Sequence, residues 1–154
     1  PGPDPLNWTD RNNMVASGIV ETGPGEWSLY ASEHYRYPDH RIRRLSLRKQ
    51  GFASVHADAR GGEFVTPPLT FSGEKLLLNY ATSGTGSVQV EIQDAAGQAL
   101  PGFALADMPE LYGDEFEAAV AWKKGPDVSS LVGKPVRLRI VLKDADLYAL
   151  RFAR

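Results

Sequence analysis

The sequence predicts an all-β chain: an antiparallel β-sandwich of the jelly-roll or concanavalin-like kind, preceded by an N-terminal three-stranded antiparallel segment. Three observations predict it. Apolar residues recur with a period of two along most of the chain, as they do where a strand has one buried and one wet face. Fifteen glycines and eleven prolines among 154 residues break these runs into short pieces. No segment carries a sustained apolar stripe at helical spacing.

Taken in order, "PGPDPLNW" (1–8) lacks the basic n-region and apolar core of a signal peptide and reads as a linker or a cut point. "MVASGIVETGPGEWSLYASEHY" (14–35) reads as strand, tight turn at "GPGE", strand. "RIRRLSLRKQGFASVHA" (41–57) returns as a third strand that runs on into a fourth. Three hairpin-linked strands fit a propeller blade or one sheet of a sandwich equally well. "EKLLLNYA" (74–81) and "SVQVEIQD" (87–94) are expected as two strands joined by a turn at "SGTG"; in the second, Val88, Val90 and Ile92 alternate with Gln89, Glu91 and Gln93. "FEAAVAW" (116–122) follows, then a single helical turn at "DVSSLVG" (127–133), capped by Asp127 and ended by Gly133. "PVRLRIVL" (135–142) sets Val136, Leu138, Ile140 and Leu142 opposite Arg137 and Arg139, and "DLYALRFA" (146–153) aligns Tyr148, Leu150 and Phe152. The organisation expected is residues 1–50 as the hairpin segment and 51–154 as the sandwich.

Composition excludes several classes of function. Seventeen Lys and Arg against nineteen Asp and Glu give a net charge of -2, which provides no basic face for nucleic acid. The absence of cysteine removes a disulfide framework and a thiolate zinc site. The three histidines have no metal-site spacing. No run of about 18 apolar residues is present for a membrane-spanning helix. Trp122, in phase with Phe116, Ala118 and Val120, is expected in the core, as is Trp27 beside Leu29 and Ala31. Trp8 should be the freest tryptophan, and His56 a satisfied, half-buried histidine.

Chemistry concentrates in "SEHYRYPDH" (32–40). In one reading His34, Tyr35 and Tyr37 form a rim for a sugar, with Glu33 or Asp39 bonding its hydroxyls, because a pyranose has an apolar C–H face and a polar edge. There Tyr35 shares a strand face with Trp27, and Tyr37 is the more exposed ring. In the other reading the stretch is a solvated hairpin loop whose acids pair with Arg41, Arg43 and Arg44. A second cluster, "DMPELYGDEFE" (107–117), places Asp107, Glu110, Asp114, Glu115 and Glu117 around Tyr112. It reads as a glycan or Ca²⁺ site, or as an exposed acidic loop. In "KDADLY" (143–148), Asp144 and Asp146 are a candidate for structural Ca²⁺, by analogy with sugar-binding jelly rolls, or a turn-forming pair.

Three long stretches carry a resemblance: "ASEHYRYPDHRIRRLSLRKQGFASVHA", "PLTFSGEKLLLNYATSGTGSVQVEIQDAAGQALPGF" and "DVSSLVGKPVRLRIVLKDADLYALRF". Together they resemble the carboxy-terminal region of bacterial proteins similar to glycoside hydrolase families 32 and 43. In those proteins a five-bladed propeller precedes a β-sandwich. The resemblance sets residues 8–50 against the end of the propeller and 51–154 against the sandwich. The family's "WMNDPNG", "RDP" and "EC" catalytic motifs are not present in this chain, and glycosidic cleavage needs two carboxyl groups flanking the bond. The resemblance therefore implies a non-catalytic accessory or carbohydrate-binding module of a secreted or periplasmic protein. Its partners would be a polysaccharide or oligosaccharide and, in a longer protein, a propeller catalytic domain. Two alternatives stand beside it: a hydrolase fragment that contributes "SEHY" to a cleft, and a purely structural domain.

Overall fold

The computed structural model describes residues 2–154; Pro1, the first residue of the expected linker, lies outside the described residues. The chain is all-β and divides into two compact units, Pro1–Phe52 and Ala53–Arg154.

Unit 1 is built on a three-stranded antiparallel sheet of β1 (Val20–Gly23), β2 (Glu26–Glu33) and β3 (Arg41–Arg48), in that order. β2 and β3 pair without a break from Glu26↔Arg48 to Glu33↔Arg41. Directly opposed residues share a face, so Trp27, Leu29, Ala31 and Glu33 lie beside Leu47, Leu45, Arg43 and Arg41. The "GPGE" turn forms as expected, with Gly25 at φ 71° and Gly23 paired to Glu26.

The expected first strand is interrupted. Met14–Ala16 meets β2 through the Val15↔Ala31 bridge, but Gly18, at φ 99°, turns the chain away before β1 begins. The linker reading is overturned. Residues Pro5–Trp8 form a 3-10 turn with Pro5 in its first position and the Asp4 carboxylate accepting from the Leu6 amide at 3.0 Å. The run from the third strand into a fourth does not occur either. Gln50 adopts φ 62°, the chain turns, and the next strand belongs to unit 2. Trp27 is half-buried rather than enclosed, tilted against the exposed Phe52 at 5.8 Å.

Unit 2 is a curled antiparallel sheet of β4 (Val55–Ala57), β5 (Gly62–Val65), β6 (Lys75–Gln93), β7 (Asp114–Ala119) and β8 (Arg137–Ala153). The order is β4-β8-β6-β7, and β5 also pairs with β8. Two sequence expectations change here. "SGTG" is no turn, and "KLLLNYA" and "SVQVEIQ" are halves of one nineteen-residue strand. "RLRIVL" and "DLYALRFA" likewise merge into β8.

The joints are bulges. Thr82 pairs with Ala145 and Ser87 with Lys143, so residues 83–86 stand opposite Asp144 alone, which takes φ 42°. Bulges bend and twist a strand pair, and two bent strands curl the sheet so that its halves enclose one core, a sandwich-like arrangement. Gly86 is required at the bend, because a Cβ there would overlap the carbonyl oxygens of Lys143 and Asp144. A second shift, where Asn79↔Ala149 gives way to Tyr80↔Leu147, makes Tyr148 the extra residue. It therefore falls out of the Leu150 and Phe152 alignment that its spacing predicts.

The core of unit 2 is one apolar cluster running from Ala57 to Leu147. Leu76 and Leu78 come from one half of β6 and Val90 and Ile92 from the other, all fully buried. Trp122 joins the halves as expected of a core residue, its Nε1 donating to the Val90 carbonyl at 3.0 Å. "DVSSLVG" forms a 3-10 turn, Ser129–Leu131, with the Asp127 carboxylate accepting from the Ser129 amide at 2.8 Å. Among the described residues, every buried side-chain polar atom has a partner.

Candidate functional site

The site lies in unit 1, at the end of β2. Glu33 is the strand's last residue, and His34 leaves it at φ 54°, a left-handed conformation that histidine tolerates better than most residues. Strand alternation stops there, so Tyr35 does not share a face with Trp27. The loop closes by two backbone bonds, Tyr37 N–H to the His34 carbonyl at 2.8 Å and His40 N–H to the Tyr37 carbonyl at 3.0 Å. These turn Asp39 back onto His34.

The N-terminal segment completes the arrangement. Asn7, 3 % exposed, accepts from the His34 amide through Oδ1 at 3.2 Å and donates through Nδ2 to Glu33 at 3.4 Å. Asn12 accepts from the Tyr35 amide, and the Asn13 amide bonds the Ser32 carbonyl.

Two buried charges sit side by side. The Glu33 carboxylate takes Arg41 Nε at 3.0 Å on one oxygen and Arg43 Nη1 at 2.9 Å on the other. Arg43 and then Arg41 hold it below the ordinary carboxylate range. His34, 4 % exposed, has Nε2 at 2.8 Å from Asp4 and Nδ1 at 2.6 Å from Asp39. Two carboxylates on two ring nitrogens suit the imidazolium, which donates from both. The Asp4 bond, and then the Asp39 bond, raise its pKa, and His34 in turn lowers both carboxyls. Beside them opens a hollow of about 360 Å³, lined among others by Asp4, Asn7, Asn13, Glu33, Arg43 and Leu45.

Each sequence reading of "SEHYRYPDH" is therefore met in part. Glu33 and Asp39 pair with arginines, as the hairpin reading expects, but Glu33 and His34 are buried rather than solvated. Arg44 pairs with Glu26 instead. The aromatic rim is not assembled. Tyr35 is the more exposed ring, and its hydroxyl accepts from Arg11 Nη1 at 2.8 Å while the guanidinium lies over the ring. Tyr37 is half-buried with its edge toward His34. Neither ring lines the hollow. Asp4, Asn7, Asn13 and Leu45 were not marked by sequence reasoning, and Arg43 was marked only as a partner for the loop's acids. The one legible signal was Asp4 before Pro5, an N-cap followed by a first-turn proline.

The second cluster disperses. Tyr112 is 75 % exposed, and its carbonyl accepts from the Tyr80 hydroxyl at 3.3 Å. Asp114 and Glu115 open β7 opposite Ala81 and Tyr80. Glu117 pairs with Arg151, and Asp107 faces Lys123. Asp144 occupies the β8 bulge, while Asp146 accepts from Ser54 Oγ at 2.7 Å and lies 3.1 Å from His56 Nδ1. His56 is thus partnered, but exposed rather than half-buried. Among the described residues no group of three or more His, Asp or Glu side chains is placed to hold a metal ion. Asp144 and Asp146 accordingly have no third His, Asp or Glu beside them among the described residues. No family model, no curated protein and no solved structure matches the chain.

Proposed function

We propose that this chain is a non-catalytic carbohydrate-binding module, and that the hollow of unit 1 receives a neutral saccharide. One observation carries the reading: two carboxylates, two side-chain amides and a guanidinium converge around a concave volume with Leu45 on its wall. That set offers donors and acceptors to hydroxyls and one apolar surface to a C–H face.

The charges favour an uncharged ligand. Asp4, Glu33 and Asp39 are offset by Arg41, Arg43 and the His34 imidazolium, so an anionic or cationic glycan finds no unmatched partner. The same pairing argues against catalysis, because a general acid must carry a proton near neutral pH and Glu33 and Asp4 are both held ionised. The resemblance to the region beside a glycoside hydrolase propeller agrees with this reading. It extends the proposal to a secreted or periplasmic protein whose propeller domain would do the chemistry.

A glycan array probed with the whole chain tests it, followed by titration of the best neutral oligosaccharide against Leu45→Arg. Leu45 is exposed, so the substitution fills the hollow without touching a core. Binding of neutral over acidic glycans, with a loss of about tenfold or more in Leu45→Arg, is the expected result. Absence of any glycan binding, or full affinity in the variant, overturns the proposal.

A further inference from the structure

We propose that His34 is a pH-operated latch for the N-terminal segment: its imidazolium ties Asp4 to the end of β2, and loss of its proton frees residues 2–5 and opens the side of the hollow that Gly2, Pro3 and Asp4 line. The release of the segment stands on geometry alone; the consequence for ligand rests on the saccharide reading above.

A neutral imidazole has one N–H, yet the ring lies within 2.8 Å of carboxylate oxygens at both nitrogens. On deprotonation one nitrogen sets a lone pair against a carboxylate, and one contact must open. Asp39 stays close to the ring whichever contact opens. It belongs to the same closed loop as His34, and Arg41 Nη1 lies 3.4 Å from it. Asp4 sits thirty residues away in sequence on a separate segment, and its ion pair is with His34.

Downstream, the segment has anchors that do not titrate in the range of His34. The Asn13 amide bonds the Ser32 carbonyl, the Arg11 carbonyl accepts from Ser32 Oγ, and Asp10 pairs with Arg36. Residues 6–9 are held without the His34 proton: Asn12 Nδ2 donates to the Leu6 carbonyl, Asn13 Nδ2 to the Asn7 carbonyl, and the Asn7 side chain bonds the His34 amide and Glu33. Upstream of them the tie to β2 and its loop is Asp4 to His34, so the break falls between residues 5 and 6.

The groups facing His34 set the direction. Asp4 and Asp39 favour the charged ring, Arg41 opposes it, Glu33 is occupied by Arg41 and Arg43, and Tyr37 presents a ring edge. The first two prevail, so the latch holds at and below the ordinary histidine value of 6.5 and opens as pH rises through a higher one.

The experiment is a pH series of NMR spectra on the whole chain, following the His34 ring together with the amides of Asp4 and Leu6, the latter bonded to the Asp4 carboxylate. The expected result is a single step above pH 6.5, shared by ring and amides, with residues 7–13 staying ordered. His34→Gln should abolish the step. Asp4→Asn should leave residues 2–5 loose at every pH and bring the ring midpoint back toward its ordinary value. Ordered amides beside a neutral His34, or a step that persists in His34→Gln, overturn the latch. Should His34→Gln fail to fold, the ring titration in Asp4→Asn decides. Neutral-glycan binding over the same range separates the two proposals: an open segment with undiminished binding defeats the hollow as the site but not the latch. A working latch with no binding at any pH defeats only the saccharide reading.

Discussion

The two units are folded by different forces. In unit 1, Ala31 is the one buried apolar residue among those described, while Asn7, Ser28, Glu33 and His34 are buried polar groups. Its strands are joined by charged contacts, Glu33 to Arg41 and Arg43, Glu26 to Arg44, Glu21 to Lys49. In unit 2, bent strands enclose a continuous apolar cluster. A core of the second kind is non-directional and insensitive to pH. A fold of the first kind depends on protonation and geometry, which makes it the natural place for a site and for a switch.

The contrast should break hardest at Ile140, fully buried in β8. Ile140→Ala is expected to cost about 2–5 kcal/mol by denaturant unfolding, through lost transfer energy and a residual cavity. Leu29→Ala in half-buried unit 1 should cost about 1 kcal/mol. Equal costs would show that unit 1 has an apolar core after all. Next comes the bend itself. Gly86→Ala places a Cβ on two carbonyl oxygens and should destabilise unit 2 by roughly 1–3 kcal/mol, as overpacking does; a neutral result would mean that the bulge is not what curls the sheet.

Hydrogen exchange resolved by unit should then separate the two by pH. Asp4, Asp39 and Glu33 have lowered pKa values, so their contribution is present above the ordinary 3.8–4.5 and lost as pH falls through the lowered ones. His34 is raised, so its contribution is present below 6.5 and lost as pH climbs through the higher value. Unit 1 should therefore be best protected between about 4.5 and 6.5, with unit 2 much flatter. A parallel response of both units would remove the distinction.

Smaller still is Arg139→Ala. Alternation alone puts Arg139 on the wet face, but it pairs with Glu63 at 2.6 Å and lies 3.7 Å from the buried Glu91. A loss on the order of 1 kcal/mol is expected by denaturant unfolding, and no loss would show the pairs to be idle. Tyr35→Ala, at an exposed ring, should change stability least and leave glycan affinity intact. A tenfold loss of affinity would restore the aromatic rim.

By itself the sequence determined the all-β class, the apolar phase of "SVQVEIQD" and "PVRLRIVL", and the core place of Trp122. These depend on local alternation and on the size of an apolar surface, both written residue by residue. Tertiary structure decided what alternation cannot encode. "SGTG" has the composition of a turn, yet pairing against Lys143–Ala145 keeps it in a strand, because a bulge is defined by its partner. "PGPDPLNW" has the composition of a linker, yet Asp4 and Asn7 are held by His34 and Glu33, residues that reach them only once β2 is formed. "SEHYRYPDH" advertised its chemistry, but which of its groups are buried, and in what charge state, was fixed by a segment some thirty residues upstream.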